Sequence, residues 1–223
     1  VHLDVILVFV FPLLGLKPCS FQIVSKTKEI MRNRLNHIRD RYNNVFKNLY
    51  DNINVGELPK KYRDYEGNFK RFANPVLKAH DDGYKTGLDF GCGVGGCCVV
   101  GSLLGLKMTG VDIPEAEGKP SPYLSLQHRM QKNYSIVLCD TTEYPWEFED
   151  NQFDFIVLYF SLNKEFMHED KLDFQKRLDE LVRITRKGGA WYIWPTMHFN
   201  LMTRKQEDRT FNRDKKVKII FGA

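Results

Sequence analysis

TGLDFGCGVGGCC, Thr86 to Cys98, packs five glycines into thirteen residues directly behind a short apolar run. Without side chains a backbone can come close to a ligand, and glycine also takes the positive φ that a tight bend demands. Outward from this loop the pattern alternates. Apolar runs at Thr86–Phe90, Lys107–Val111, Ser135–Cys139, Phe153–Phe160 and Ala190–Trp194 read as strands. Helical stretches at Gly95–Leu106, Pro122–Lys132 and Lys171–Arg186 fall between several of them. Ser121 and Pro122 suit the cap and first turn of the second helix. Gly188–Gly189 is expected to stop the third.

Strand–helix alternation predicts an α/β fold with a mainly parallel sheet, right-handed crossovers and helices on both faces, a Rossmann-like architecture. Ligands of such sheets bind at the carboxyl ends of the strands, near the switch in strand order. An N-terminal helical extension precedes it. Ser25 to Tyr50 reads as one amphipathic helix, with Met31, Leu35, Ile38, Tyr42, Val45 and Leu49 on one face. Its other face carries Lys26, Lys28, Arg32, Arg34, Arg39, Arg41 and Lys47 against Glu29 and Asp40. That is either a solvated face or a basic patch for an anionic partner. Asn52–Pro59 reads as a linker, and a short helix is expected near Asn74–His80. The expected division is 1–24 as an apolar segment, 25–80 as a helical extension able to cover a substrate, and 81–223 as the ligand-binding domain.

The chain has 223 residues, 43% apolar and 27% charged, enough to bury a full core. Its formal charge of +5 permits acidic partners without requiring them. The five cysteines form no CxxC pair, which points to a reducing compartment, and a cytoplasmic location is expected. No histidine spacing suggests a metal site, and none is expected. The apolar run Val5–Leu16 is about half of the roughly 20 residues a membrane span needs, so membrane association is not expected. A segment packed on the body and the remnant of a signal or anchor both fit it.

Gly91, Gly93 and Gly96 satisfy the dinucleotide pattern G-x-G-x-x-G, with Asp112 where a ribose-binding acid belongs. Two acids argue against a dinucleotide. Asp89 precedes the first glycine by two residues, where a charge beside a pyrophosphate is unwanted, and Asp140 ends the third strand. Nor does enough chain follow for an oxidoreductase substrate domain. A carboxylate beside the loop suits a cationic ligand without phosphates. S-adenosylmethionine (SAM), with its sulfonium and ammonium, is such a ligand.

Here the sequence resembles the class I SAM-dependent methyltransferases. The resemblance runs from about Tyr84 to Trp194, on LDFGCGVGG, MTGVDIPE, IVLCDTT and LDELVRITRKGGAWYIW in that order. It implies a SAM site built from Asp89, Gly91, Cys92, Gly93, Asp112, Ile113, Asp140, Thr141 and Tyr159. Asp89 would face the methionine moiety, and Gly91 and Gly93 would let the backbone approach. Asp112 would take the ribose hydroxyls and Ile113 would pack on the adenine. Asp140, beside Thr141, would accept from the adenine amino group. Tyr159 would stand near the sulfonium. Cys92 reads as a small buried filler of the loop rather than a nucleophile.

The acceptor is less legible. LYFSLNKEF, Leu158 to Phe166, lacks both the N/D-P-P-Y signature of enzymes that methylate exocyclic or amide nitrogens and the Pro-Cys pair of cytosine-C5 enzymes. What is left is similar to enzymes of small-molecule O or N acceptors, with Ser161 and Asn163 lining the pocket. Tyr159, Asn163 and His168 are the candidates for a catalytic role, His168 because its pKa lies near neutrality. Lys70 or Arg71 is placed to reach the cofactor's carboxylate. RNA methylation through the basic helix and the run Arg204–Lys216 is the alternative, and a non-catalytic SAM-binding module is a third reading. The family closes its sheet with a two-stranded hairpin. Only Lys216–Phe221 reads as a strand after Trp194, so that hairpin is either abbreviated or cut short.

Overall fold

The computed structural model describes residues 19–51, 65–116, 119–121, 123–141, 143–159, 161, 171–194 and 217–221. The Val5–Leu16 run, the Asn52–Pro59 linker, Asn163, His168 and the basic run from Arg204 lie outside them. By internal packing the chain divides into two units, Val1–Asp40 and Arg41–Ala223. The described part of the first is helical, with Ile30, Met31 and Leu35 exposed and an Arg39–Asp40 ion pair of 3.5 Å. Among the described residues no helix is long and apolar enough to cross a membrane.

Helix α1 runs Cys19–Tyr50 and α2 runs Tyr65–Asp81. Six strands then form one sheet: β1 (Thr86–Phe90), β2 (Lys107–Asp112), β5 (Ser135–Leu138), β6 (Phe153–Tyr159), β7 (Thr185–Trp194) and β8 (Lys218–Phe221). A two-residue antiparallel pair, β3 (Glu115–Ala116) and β4 (Lys119–Pro120), stands apart. Helices α3 (Gly96–Leu103), α4 (Leu124–Met130) and α5 (Lys171–Ile184) link β1 to β2, the β3–β4 pair to β5, and β6 to β7. The sheet order is β5-β2-β1-β6-β7-β8, and every pairing in it is parallel. After β5 the chain crosses β1 to begin β6, so the order reverses between β1 and β6.

Alternation along the strands sorts side chains to two faces. Leu88 and Phe90 of β1, Ile156 and Leu158 of β6, and Trp191 and Ile193 of β7 join Phe174, Leu178 and Leu181 of α5 in one apolar core. Asp89 points the other way, toward Cys97 of α3, and a Cβ at Gly87 would meet Phe155 and Met108. A Cβ at Gly96 would run into the Phe72 ring, and one at Gly101 into Met108. These two glycines let α3 lie close to α2 and to β2.

Four elements depart from the sequence reading. Helix α2 begins nine residues before Asn74 and runs through Pro75. Asn-Pro reads as a cap followed by a first turn, yet the buried positions Phe69, Phe72, Ala73, Val76 and Ala79 continue across it and carry the helix through. Helix α3 starts at Gly96, because Gly95 has φ +74° and lies outside the helical region. Helix α4 starts at Leu124 with Tyr123 as its cap residue, while the Ser121 hydroxyl accepts from the Tyr123 N–H at 3.3 Å. Finally, Gly188–Gly189 does not stop α5. The helix ends at Ile184, and β7 starts at Thr185 with a bulge that takes up Gly188 at φ +79°. In α1, the stripe read from the sequence is buried only at Ile38 and Tyr42; Met31 and Leu35 are exposed, Val45 and Leu49 are half-buried, and Phe46 and Tyr50 take the buried positions instead.

Asp154, at the start of β6, fastens the lower end of the sheet. Its Oδ2 accepts from the Lys85 and Thr86 N–H groups, both at 2.9 Å, and its Oδ1 pairs with Arg186. Burial alone would raise its pKa, but these hydrogen bonds and Arg186 outweigh burial and hold it below the usual carboxylate range. Its stabilisation is therefore present above the unfolded-state pKa of about 3.9 and lost as pH falls through the lower folded value. Asp154→Ala should cost about 2–4 kcal/mol at pH 7, since two backbone donors lose their acceptor. Urea unfolding at pH 7 and pH 3 should show that cost shrinking in acid.

Candidate cofactor site

The glycine loop is held by hydrogen bonds to β2. The Gly91 and Cys92 N–H groups both donate to the Val111 carbonyl, at 2.8 and 3.0 Å, and the Gly95 N–H closes the turn on the Cys92 carbonyl at 2.8 Å. Gly91 has φ +73°, and a Cβ there would lie 2.8 Å from the Ser161 Cβ. Gly91 and Ser161 are thus opposed across the β1–β6 switch point. Ser161 is buried, and its hydroxyl has no partner among the described residues.

Asp112, the last residue of β2, braces this loop. Its Oδ2 accepts from the Gly93 N–H at 2.7 Å and from the Gln127 Nε2 at 3.1 Å, and its Oδ1 accepts from the Ile113 N–H at 2.9 Å. Gln127 Nε2 also donates to the Gly93 carbonyl at 3.1 Å. The buried carboxamide therefore clamps both sides of Gly93, and its Oε1 is left without a partner among the described residues. Sequence reasoning missed Gln127. Its signal was a polar residue among the buried positions Leu126 and Met130 of a short helix. Burial raises the Asp112 pKa, against the pull of those hydrogen bonds.

Asp89 is buried in β1 at 2% exposure. Burial first, and then the charge of Asp112, push its pKa up to about 7, while hydrogen bonds with Cys97 act in the opposite direction. Among the described residues no cation offsets this charge. The Cys97 thiol also lies 3.7 Å from the Phe72 carbonyl. Cys92 turns into the body of the protein. Its Sγ is 2.9 Å from where a Gly110 Cβ would stand, and burial raises its pKa.

The other sequence-derived residues gather at the same strand ends to differing degrees. Tyr159, at the end of β6, is half-buried, with Phe72 edge-on at 5.9 Å and the Arg71 guanidinium 5.7 Å above its ring. Helix α2 thereby sets Arg71 over Tyr159, and both Lys70 and Arg71 are exposed. Ile113 is half-buried beside Asp112 and Asp140 is exposed. Thr141 is buried, and its carbonyl accepts from the Trp146 indole at 3.1 Å. Asn163 and His168 are among the undescribed residues. No group of three or more His, Cys, Asp or Glu among the described residues could hold a metal ion.

Residues 88–193 match the family described as a methyltransferase domain. Over those residues, just under half of the chain, it is similar to the class I SAM-dependent methyltransferases. A tocopherol O-methyltransferase of Arabidopsis thaliana is 30% identical over 132 residues, 59% of this chain and 36% of that protein. A norajmaline N-methyltransferase of Rauvolfia serpentina is 28% identical over 132 residues, 59% of this chain and 42% of that protein. The chain thus spans well under half the length of these relatives. Among solved structures, the PH0226 protein of Pyrococcus horikoshii is 21% identical with a TM-score of 0.43, over 63% of this chain and 61% of that one.

The residues at these strand ends fit a cationic nucleoside cofactor. A Cβ at Gly91 would collide with Ser161, the Ser161 hydroxyl and the Gln127 Oε1 have no partner among the described residues, and the Asp89 carboxyl has no cation beside it among them. The Asp89 pKa has a consequence for folding. The folded chain holds this proton up to about pH 7 and the unfolded chain releases it near 3.9, so stability falls as pH rises between those values. Asp89→Asn should gain on the wild type by about 1.4 kcal/mol per pH unit across that window and plateau above it. Thermal melts of the ligand-free proteins at pH 5 and pH 8 measure this, and an advantage that does not grow with pH would refute it. Asp112→Ala should cost about 1–3 kcal/mol of stability by freeing the Gly93 and Ile113 N–H groups. It should also weaken binding of S-adenosylhomocysteine about ten- to a hundred-fold, as calorimetry would register.

Proposed function

We propose that this protein transfers a methyl group from SAM to an oxygen or nitrogen of a small-molecule acceptor. The observation that carries the reading is the buried Asp89 carboxylate, with no cation beside it among the described residues, next to a glycine bend braced by Asp112. A phosphorylated dinucleotide would set like charge against Asp89 and Asp112. A sulfonium with an ammonium supplies the missing positive charge. The two curated relatives, one named for an O- and one for an N-methylation of a small molecule, support an acceptor of that class.

SAM supplies an activated methyl group, and the chain's task is to place an acceptor in line with it. Positioning of this kind can account for about 7–11 kcal/mol of a barrier, so no conspicuous acid or base is required. Asp89 faces the methionine end. Gly91 and Gly93 admit the ligand to the backbone. Asp112 keeps lone-pair capacity on Oδ1 for a ribose hydroxyl, three of its hydrogen bonds being committed to the protein. Ile113, Asp140 and Thr141 bound the adenine. Tyr159, with Arg71 above it, stands at the β6 end, where the sulfonium and the acceptor meet. Helix α2, which sets Arg71 over the Tyr159 ring, borders the acceptor side of the site.

Thermal shift separates the cofactor classes. S-adenosylhomocysteine at a hundred times its Kd should stabilise the protein by about 2.7 kcal/mol, while a nicotinamide dinucleotide should leave the melting temperature unchanged. The opposite pattern would end the reading. Incubation with methyl-labelled SAM and a panel of phenols and amines should then yield labelled product. Label appearing only in RNA, in a reaction suppressed by salt, would transfer the acceptor role to nucleic acid.

A further inference from the structure

Between Lys28 and Leu35 helix α1 is exposed on every side, its large apolar residues included: Ile30 at 60%, Met31 at 61% and Leu35 at 40%. At about 100° per residue, Met31 and Leu35 stand on one line with Ile38 and Tyr42. Those two are buried, Tyr42 against the rings of Phe46 and Phe69. The stripe therefore passes from a packed end to a bare one. Lys28, Arg32 and Arg39 line one edge of it, and Arg34 lines the other, with Ile30 beyond. Glu29, Asn33, Asn36 and Asp40 take the opposite face. Both acids of this stretch are thus turned away from the apolar line.

An apolar line edged by cations suits a surface that is apolar beneath and anionic around. A second copy of this helix would set cations against cations, which is costly. The preceding run Val5–Leu16 holds no acid to meet them. A nucleic acid would take the cations and leave Met31 and Leu35 in water. A leaflet with anionic headgroups meets both needs. Its acyl boundary receives the apolar side chains, while the Lys and Arg stems reach outward to the phosphates. We propose that α1 docks this protein on an anionic lipid surface through Ile30, Met31 and Leu35, held by Lys28, Arg32, Arg34 and Arg39. Such a helix lies in the plane of the surface and needs no spanning length. Membrane association, not expected from Val5–Leu16 as a span, is expected from α1 as a surface helix. The proposal is independent of the cofactor reading.

The test is flotation of the full chain with phosphatidylcholine vesicles made with and without phosphatidylserine. Binding should require phosphatidylserine and should weaken as salt is raised. Arg32→Gln combined with Arg39→Gln should weaken it about thirty-fold. Met31→Gln combined with Leu35→Gln should weaken it about ten-fold. All four side chains are exposed, so both double variants should melt with the wild type. Failure to bind phosphatidylserine vesicles would overturn the proposal, as would binding that the Met31 and Leu35 changes leave intact. A lower melting temperature for that variant would also overturn it, by showing the stripe covered by the chain itself. So would a dimer in analytical ultracentrifugation that the same variant dissociates, since a second copy would then be the occupant. If the arginine changes weakened binding to an RNA homopolymer and left vesicle binding untouched, the basic edges would belong to nucleic acid and the proposal would fall.

Discussion

A carboxylate inside a protein without a cation beside it is expensive, because burial removes the water that stabilised its charge. Asp89 is in that position, and Asp112, another acid, adds to the cost. Folding alone would favour an apolar residue at this point of β1. The rest of the site is arranged around that cost. The Cys97 hydrogen bonds reduce it, and the neighbouring glycines keep the bend free of side chains that could displace a ligand. A cationic ligand would offset what remains. Stability and binding are therefore opposed at one side chain.

The bracing beneath this charge is conventional by comparison. Backbone donors of the loop go to the Val111 carbonyl and to Asp112, so the bend keeps its shape without a ligand. Gln127 ties the same loop to α4 through both sides of Gly93. At the other end of the sheet, Asp154 joins the first residues of β1 to β6 and β7 through Lys85, Thr86 and Arg186. A sheet fixed at both ends of its central pair holds the switch point at constant width. Gly91 and Ser161 face each other there.

Local pattern predicted those parts of the fold that local pattern controls. Strand β1 has the bounds its apolar run suggests, and β2, β5 and β6 follow theirs to within a residue, because each is a short apolar run with clear ends. Helix α2 was misread because Asn74–Pro75 imitates a helix start, while tertiary burial of Phe69 and Phe72 carries the helix through it. The paired glycines after α5 imitate a stop, yet they sit within a strand bulge. In the site, the acids and glycines could be read because their spacing is tied to one bend. Gln127 could not, because its importance comes from the Gly93 and Asp112 groups the fold places beside it.

The electrostatic state of Asp89 decides between this account and a merely structural carboxyl. Carboxyl-carbon NMR of selectively labelled aspartates, followed against pH with and without S-adenosylhomocysteine, reads it directly. The account predicts an Asp89 midpoint near 7 in the ligand-free protein and a marked fall on binding, as the ligand's ammonium favours the ionised form. An ordinary midpoint near 4 without ligand, or one that binding leaves in place, would contradict it.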